Sequence, residues 1–323
     1  MASSSATVSP TTVSHVLSGK RQVGAATNER VREAVRELGY RPSQVARGLR
    51  TRRSHAIAVI VPDITNPFYG VMTRGLADTV DEGGYGTYVC NTDGLPQREQ
   101  KFVEDALDRG VDGIVMAPVH VTDEQIGELA RFGVPIVCLG DSVASVEVDR
   151  VLVDDEEGAR AATLHLIARA PDQVAMITGP AGAGLARVRG YRRALEETGR
   201  AFDPRLTRDG GWNRQGGEQA MLALMELDPR PDAVFCANDL MALGAMDAAR
   251  RVGLAIPDDV ALVGFDDVEA AELVTPSLTT VVNPSYETGR SAGRLLLKRM
   301  HGDATEERRT IVMPCRLVER ESG

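Results

Sequence analysis

Several polar and aromatic residues follow the apolar runs of this chain, and their side chains are suited to binding a small hydroxylated molecule. They are Phe68, Tyr69, Arg187, Trp212, Asn238 and Asp266. An aromatic ring can stack on such a ligand, while guanidinium, amide and carboxylate groups form paired hydrogen bonds with its hydroxyls. Taken singly, each residue also has a structural interpretation, as a helix cap, a surface charge or a core residue. Their common position after strands favours a ligand-binding cleft.

Catalytic motifs are incomplete in this sequence. The stretch 179–184 follows an apolar run and resembles a phosphate-binding loop, but Leu185 stands where such a loop needs lysine. Arg187 stands where the dinucleotide-binding motif needs glycine. The five histidines and the many carboxylates show no metal-ligand spacing. We therefore predict that the protein is not an enzyme and that it uses neither a metal nor a cofactor.

The candidate residues lie between alternating strands and helices. From Ser54 onward, short apolar runs alternate with amphipathic segments, which predicts an α/β fold with parallel sheets covered by helices. The runs form two series, so we predict two doubly wound subdomains with a ligand site between them, beyond the carboxyl ends of the strands. The predicted subdomains are about 54–155 with 284–311, and about 156–283 with 312–323.

Residues 1–53 differ from the rest and begin with a short predicted helix. Ser9 can cap this helix because its hydroxyl can accept a backbone N–H of the first turn, and Pro10 suits the first helical position. Val13, Val16 and Leu17 form its apolar stripe. Small polar residues at the start of a helix allow it to enter the major groove of DNA and to reach base edges.

A second helix is predicted from near Thr27, because apolar residues recur there at helical spacing and Gly39 can supply a left-handed stop. A short basic hinge helix is predicted at about 43–50, and it carries Leu49. Helical spacing alone favours an ordinary helical hairpin over a DNA-binding unit.

The distribution of charge favours DNA binding instead. Residues 1–53 contain ten lysines and arginines and three glutamates, a net charge of +7, whereas the whole chain carries −9 and residues 54–323 carry −16. A basic segment joined to an acidic domain is typical of a phosphate-binding module on a soluble partner domain. The acidic body would be repelled by DNA, which leaves DNA contact to the first 53 residues.

The rest of the sequence indicates a cytoplasmic protein. It has no apolar run long enough to span a membrane, and its N terminus lacks the pattern of a secretory signal. The four cysteines are scattered and are predicted to be reduced core residues rather than disulfides or metal ligands.

The sequence resembles the lac-repressor (LacI/GalR) family of bacterial transcriptional regulators. The matching stretches are 8–17, 37–42 and 46–49, and the resemblance continues to the C terminus. It implies a small helix-turn-helix head followed by a periplasmic-binding-protein-like body of two doubly wound subdomains. It also implies a repressor whose affinity for operator DNA is controlled by a small-molecule effector.

The same resemblance implies roles for individual residues of the head. Pro10, Thr11 and His15 are expected to face base edges, while Ser9, Thr12 and Ser14 contact phosphates. In the hinge helix, Ala46 and Leu49 match the family, and the matching leucine wedges between base pairs in the minor groove. Such a wedge costs a few kcal/mol of unstacking, which added protein–DNA contact offsets.

In the body, the resemblance implies that the six residues introduced at the outset line an effector pocket, together with Asp154 and Asn283. Similar regulators sense sugars, sugar phosphates or purine bases, and a sugar is the effector that we expect here. The stretch Arg169–Asp172 lacks the Gly-His pair that is usual in the family at this place.

The start of the chain departs from the family pattern. Family members begin with a further helix, whereas only the serine-rich residues 1–7, a poor helix-forming sequence, precede the first predicted helix here. We expect the head to be truncated and to bind DNA weakly. An alternative is therefore a solute-binding or sugar-binding protein without DNA-binding activity.

The expected mechanism links the two parts of the chain. A hinge helix this short is unstable alone in water, so it is expected to order when two copies meet on DNA. The effector would change the spacing between paired hinges, which couples effector binding to operator binding. We predict a homodimer on a pseudo-palindromic operator, because the sequence has no terminal heptad run that would make a tetramer.

Overall fold

The computed structural model describes residues 8–18, 21–40, 53–143, 148–169, 171–180, 184–302 and 307–323. Contacts divide the chain into two units, residues 1–54 and residues 55–323, which we call the head and the body. The predicted hinge helix, with Ala46 and Leu49, lies outside the described residues. A search of the described helices finds none that is both long and apolar enough to cross a membrane.

The head contains two described helices. Helix α1 (Pro10–Ser18) begins as predicted, because the backbone N–H of Thr12 donates to Ser9 Oγ at 3.1 Å and Pro10 occupies the first helical position. Helix α2 (Ala25–Glu37) begins two residues before the predicted start at Thr27, after Gly24. The left-handed stop is confirmed, since Gly39 has φ 58°.

The first sheet of the body has six strands in the order β11-β5-β4-β3-β1-β2, all parallel. Its strands are β1 (Ala56–Val61), β2 (Gly86–Asn91), β3 (Gly113–Met116), β4 (Ile136–Leu139), β5 (Asp149–Val153) and β11 (Thr310–Met313). Its helices are α3 (Pro67–Asp81), α4 (Pro96–Asp108), α5 (Asp123–Arg131) and α11 (Ser285–Met300). The central strands are apolar throughout because both faces of the sheet are covered.

The second sheet has the corresponding order β12-β10-β9-β8-β6-β7, with its edge strand β12 antiparallel to β10. Its strands are β6 (Val174–Thr178), β7 (Thr207–Asp209), β8 (Ala233–Cys236), β9 (Ala261–Asp266), β10 (Thr279–Val282) and β12 (Arg316–Val318). Its helices are α6 (Asp155–Ala168), α7 (Leu185–Glu197), α8 (Arg214–Met225), α9 (Asp239–Arg251) and α10 (Ala270–Leu273). The prediction of two doubly wound parallel-sheet subdomains is confirmed.

The chain passes between the two sheets three times. It crosses after β5, returns after β10 and crosses again between β11 and β12. The third crossing lies two residues later than the predicted limit at 311–312, because β11 remains paired with β5 as far as Met313. Cys90, Cys138 and Cys236 are free and buried, as predicted, and Cys315 is free and half-buried.

Candidate ligand-binding site

Arg187, in the first turn of α7, is the centre of a polar cluster at the carboxyl ends of the second sheet's strands. Its Nε donates to Asp155 Oδ1 at 2.9 Å, and its Nη2 lies 3.5 Å from Asp266 Oδ1. Its Nη1 donates to the backbone carbonyl of Ala237. The guanidinium carbon lies 3.7 Å from the ring centroid of Phe265, and 11% of the side chain is exposed. The protein therefore fixes the guanidinium in position before any ligand binds.

Asp266 is held in an unusual backbone conformation beside this guanidinium. It has φ 114°, which is costly for a residue other than glycine and is found where surrounding contacts enforce it. Asn283 Nδ2 donates to Asp266 Oδ1 at 3.1 Å. Burial raises the pKa of Asp266 to about 6, although the positive charge of Arg187 lowers it. Asn283 Oδ1 is buried and has no hydrogen-bond partner among the described residues.

The packing of Trp212 accounts for the first and last glycines of the stretch 179–184, which resembles a phosphate-binding loop. A Cβ added to Gly179 would lie 2.0 Å from Cε2 of the indole, and one added to Gly184 would lie 2.6 Å from its Cη2. Glycine is therefore required at both positions so that the ring can pack against the backbone. Trp212 itself has φ 60°, and the guanidinium carbon of Arg187 lies 5.8 Å from its ring centroid.

Asn238 and Asp154 both cap helices. Asn238 Oδ1 accepts the backbone N–H of Met241 at 2.8 Å, and its Nδ2 donates to the carbonyl of Trp212 at 3.2 Å. Both ends of its amide are thus engaged, so its geometry fits a helix cap that also positions Trp212. Asp154 Oδ1 accepts the N–H of Glu157 at 3.3 Å and caps α6.

The first sheet contributes aromatic residues. Asn66 caps α3 through a hydrogen bond to the backbone N–H of Phe68, and the rings of Phe68 and Tyr69 meet edge to face at 5.0 Å. Burial raises the pKa of the Tyr69 hydroxyl, and the charge of Asp266 raises it further. Phe68 and Tyr69 thus follow β1 at the carboxyl end of that strand.

Three parts of this cluster were absent from the sequence prediction: Asp155, the carbonyl of Ala237 and the ring of Phe265. Asp155 directly follows Asp154, so only the start of α6 determines which of the two carboxylates contacts Arg187. Of the predicted residues, Arg187, Asp266 and Asn283 meet directly, and the ring centroid of Trp212 lies 5.8 Å from the guanidinium carbon of Arg187. The side chain of Asp154 instead accepts the backbone N–H of Glu157.

Asp239 supports the cluster from within the protein. It is fully buried, its Oδ1 accepts the hydroxyl of Thr280 at 2.6 Å, and its Oδ2 accepts the backbone N–H of Val268 at 2.8 Å. Burial and the nearby charge of Asp266 raise its pKa well above the ordinary value. This buried acid anchors the turn that follows β9 and so helps to hold Asp266 in place.

The stretch 289–293 has the Gly-x-Ser-x-Gly pattern of hydrolase nucleophiles, but it lies inside α11. A nucleophile elbow requires a sharp turn between a strand and a helix. The hydroxyl of Ser291 lies 4.0 Å from the sulfur of Met313 and is not presented at such a turn. The described residues also include no cluster of three or more groups that could hold a metal ion.

The predicted DNA-contacting residues of α1 lie on a partly accessible surface of the head. Ser9, Pro10 and Thr11 are exposed, while Thr12, Ser14 and His15 are half-buried. The hydroxyls of Ser9 and Thr12 are 2.9 Å apart. Val16 and Val31 are the fully buried hydrophobic residues in the described part of the head. Small side chains thus face outward at the start of α1.

Comparisons with known proteins agree with both parts of the structure. Residues 3–43 match the family of bacterial regulatory proteins of the lacI type, and residues 163–323 match the periplasmic binding protein-like domain. Catabolite control protein A of Priestia megaterium is 34% identical over 320 residues, covering 98% of this chain and 96% of its own length.

Solved structures give the same result. A transcriptional regulator CelR–cellobiose complex has a TM-score of 0.77 and 34% identity, over 98% of this chain and 96% of that chain. The lac repressor dimer bound to operator and an anti-inducer has a TM-score of 0.84 and 27% identity, over 98% and 95% of the two chains.

Proposed function

This chain belongs to the lacI family of bacterial regulatory proteins and is a DNA-binding transcriptional regulator, and we propose that it is a homodimeric repressor controlled by a sugar. The sugar binds between the two subdomains of the body, and the head binds a pseudo-palindromic operator. The protein acts in the cytoplasm, where its DNA target is, and it performs no catalytic step.

The observation that carries the effector proposal is the fixed guanidinium of Arg187. It is held between Asp155 and Asp266 with Phe265 beneath it, and the indole of Trp212 lies nearby. Fixed donors and acceptors next to an aromatic plane are what the paired hydroxyls and the apolar face of a sugar require. The CelR structure, which is similar over 98% of this chain, contains cellobiose. A purine base is the second candidate, since an aromatic ring would also stack on Trp212.

The complete proposed effector site comprises the residues predicted from the sequence and two that the structure adds. They are Phe68, Tyr69, Asp154, Asp155, Arg187, Trp212, Asn238, Phe265, Asp266 and Asn283. Asp154 and Asn238 act in this site by capping α6 and α9, which carry or adjoin the other members.

DNA binding is assigned to the head. The net charge of +7 in residues 1–53 supplies the attraction to phosphates, and the exposed start of α1 supplies the surface for the major groove. Pro10, Thr11 and His15 are proposed to face base edges, while Ser9, Thr12 and Ser14 contact phosphates. Leu49, three residues after Ala46 in the sequence, is proposed as the minor-groove wedge.

Sugar binding would be coupled to operator binding because the two subdomains of the body share the proposed sugar site. A ligand that touches Arg187 of the second sheet and Tyr69 of the first favours one relative arrangement of the two subdomains. Because the hinge helices of a dimer are spaced by the bodies that carry them, that arrangement changes the affinity for operator. Linkage then requires operator to change the affinity for the sugar by the same factor.

A sugar screen tests the proposal most directly. Purified full-length protein is melted with and without each of a set of mono- and disaccharides, because a ligand that binds the native state raises its melting temperature. Each hit is then added to an operator-binding assay on genomic fragments over a range of salt concentrations. We expect one sugar to raise the melting temperature and to change salt-sensitive DNA binding. A sugar that stabilises the protein while no fragment is ever bound would instead support the solute-binding alternative.

The wedge role of Leu49 has its own test. Leu49→Ala should weaken binding to operator by about tenfold or more while leaving binding to random duplex nearly unchanged, because the wedge acts only on a kinked site. Leu38→Ala is the matched control, since Leu38 is a leucine of the head that is 79% exposed. Equal losses on operator and random DNA for Leu49→Ala would contradict the wedge.

A further inference from the structure

The charges around the proposed effector site are unbalanced in favour of acids. Arg187 faces two carboxylates, Asp155 and Asp266. In the described part of the chain, the ion pairs of both Asp155 and Asp266 are with this one arginine. The immediate surroundings of a bound ligand are therefore negative overall when both aspartates are ionised.

Most of the hydrogen-bonding capacity of the Arg187 guanidinium is used within the protein. Three of its five N–H groups point to acceptors, supplied by Asp155, Ala237 and Asp266. One face is covered by the ring of Phe265, and 11% of the side chain is exposed. A phosphate group is recognised by arginine or lysine side chains whose donors are free to form paired hydrogen bonds. The two remaining N–H groups of Arg187 can donate to a sugar hydroxyl, but the adjacent carboxylates of Asp155 and Asp266 repel a phosphate.

The hydrogen-bonding groups that remain are mainly acceptors. The carboxylates of Asp155 and Asp266 have further lone pairs, and Asn283 Oδ1 is buried with no partner among the described residues. Sugar hydroxyls can donate to such groups, whereas phosphate oxygens can only repel them. We propose, on the basis of the function proposed above, that the site selects unphosphorylated neutral sugars and rejects the corresponding sugar phosphates.

One feature of the structure would favour an anion instead. Helix α7 starts after Gly184 without a side-chain cap, and the free N–H groups of a helix start attract negative charge. The indole of Trp212 packs against Gly184 at this end of the helix. A phosphate would have to displace that ring to reach these N–H groups, so this helix start is not open to an anion.

The first experiment compares matched pairs by calorimetry with the full-length protein: glucose with glucose 6-phosphate, ribose with ribose 5-phosphate, and cellobiose with cellobiose 6-phosphate. For any sugar that binds, we expect the phosphorylated form to bind about 100-fold more weakly, because a like charge is brought against the carboxylates. Equal or tighter binding of the phosphorylated form overturns this inference and leaves the repressor function intact. If neither member of any pair binds, the sugar proposal and this inference both fail.

The second experiment uses inorganic phosphate as the probe and so needs no identified sugar. Asp155→Asn removes the charge closest to Arg187, and Asp203→Asn is the matched control, because Asp203 pairs with the exposed Arg205 and is not a member of the proposed site. Against sodium chloride at equal ionic strength, phosphate should raise the melting temperature of Asp155→Asn and should not raise that of the wild type or of Asp203→Asn. A saturable rise in the melting temperature of the wild type, or no rise for Asp155→Asn, contradicts the proposal. If Asp155→Asn fails to fold, the calorimetry of the sugar pairs is the deciding test.

Discussion

The two sheets of the body have the same strand order but contribute different chemistry to the site. Strands β2, β1, β3, β4 and β5 of the first sheet correspond in position to β7, β6, β8, β9 and β10 of the second. The edge strands differ, since β11 is parallel to its neighbour and β12 is antiparallel. One fold thus appears twice with different residues at the carboxyl ends of its strands.

At those ends, the second sheet carries the linked polar groups together with Trp212 and Phe265, whereas the first sheet carries Phe68 and Tyr69. Asp266 follows β9, and Arg187 lies in the helix after β6, while Phe68 and Tyr69 lie in the helix after β1. The polar groups of the second sheet hold one another, so the loss of one leaves others unpaired. We therefore expect large effects from changes in the second sheet and smaller ones from changes in the first.

The largest effect is expected from Arg187→Met. Removing the guanidinium leaves Asp155 and Asp266 without their partner and should reduce sugar affinity by about 100-fold or more, while operator binding is retained. The control is Arg189→Met in the same helix, whose side chain is 54% exposed. Exposed ion pairs contribute little, so its affinity should change by less than about threefold. Calorimetry measures the affinity for the sugar, and gel shifts measure binding to the operator.

Equal losses for Arg187→Met and Arg189→Met would mean that the guanidinium cluster is not the centre of the site. The expectation that changes in the second sheet have larger effects than changes in the first would then be unsupported. A normal sugar response in Arg187→Met would remove this residue from the site altogether.

The sequence predicted the repeated fold well because apolar strands covered on both faces leave a clear pattern. It predicted Arg187, Asp266 and Asn283, which meet in the structure. It did not single out Asp155, which follows Asp154 and contacts Arg187, because neighbouring residues at a helix start point to different sides. The carbonyl of Ala237 has no side-chain signal at all, since every residue has a carbonyl.

Gly179→Ala should have the next largest effect. Its new methyl group would lie 2.0 Å from the Trp212 ring, so the indole must move, which should weaken sugar binding by about tenfold. The matched control is Gly127→Ala in α5, where a Cβ has no neighbour within 4 Å. Because Trp212 is the only tryptophan, its fluorescence spectrum reports the displacement directly. An unchanged spectrum with unchanged affinity would show that the ring is not packed on this glycine.

Tyr69→Phe tests the smaller contribution of the first sheet. Removing the hydroxyl that is proposed to contact the sugar should weaken sugar binding by about three- to tenfold, which is the usual net contribution of a hydrogen bond. Tyr88→Phe is the control, because Tyr88 lies on the edge strand β2 and is 43% exposed. If Tyr69→Phe reduced affinity as much as Arg187→Met, the two sheets would contribute equally and the asymmetry would be refuted.

The smallest effect concerns the pH dependence of stability without ligand. Burial raises the pKa of Asp266 to about 6, above its ordinary value of 3.8, so the folded protein binds more protons than the unfolded chain between these two pH values. The free energy of unfolding contributed by this residue must therefore rise as the pH falls from 7 to 4. Relative to Asp266→Asn, the wild type should gain melting temperature over that range.

Asp78 on α3 of the first sheet provides the contrasting case. Its hydrogen bond from Arg74 lowers its pKa below the ordinary value, so its contribution to stability is lost only below about pH 4. The difference in melting temperature between the wild type and Asp78→Asn should consequently stay flat from pH 7 to 4. Parallel curves for the two variants would mean that Asp266 is no more strained by burial than a surface carboxylate. A buried carboxylate with a raised pKa would then no longer distinguish the second sheet from the first.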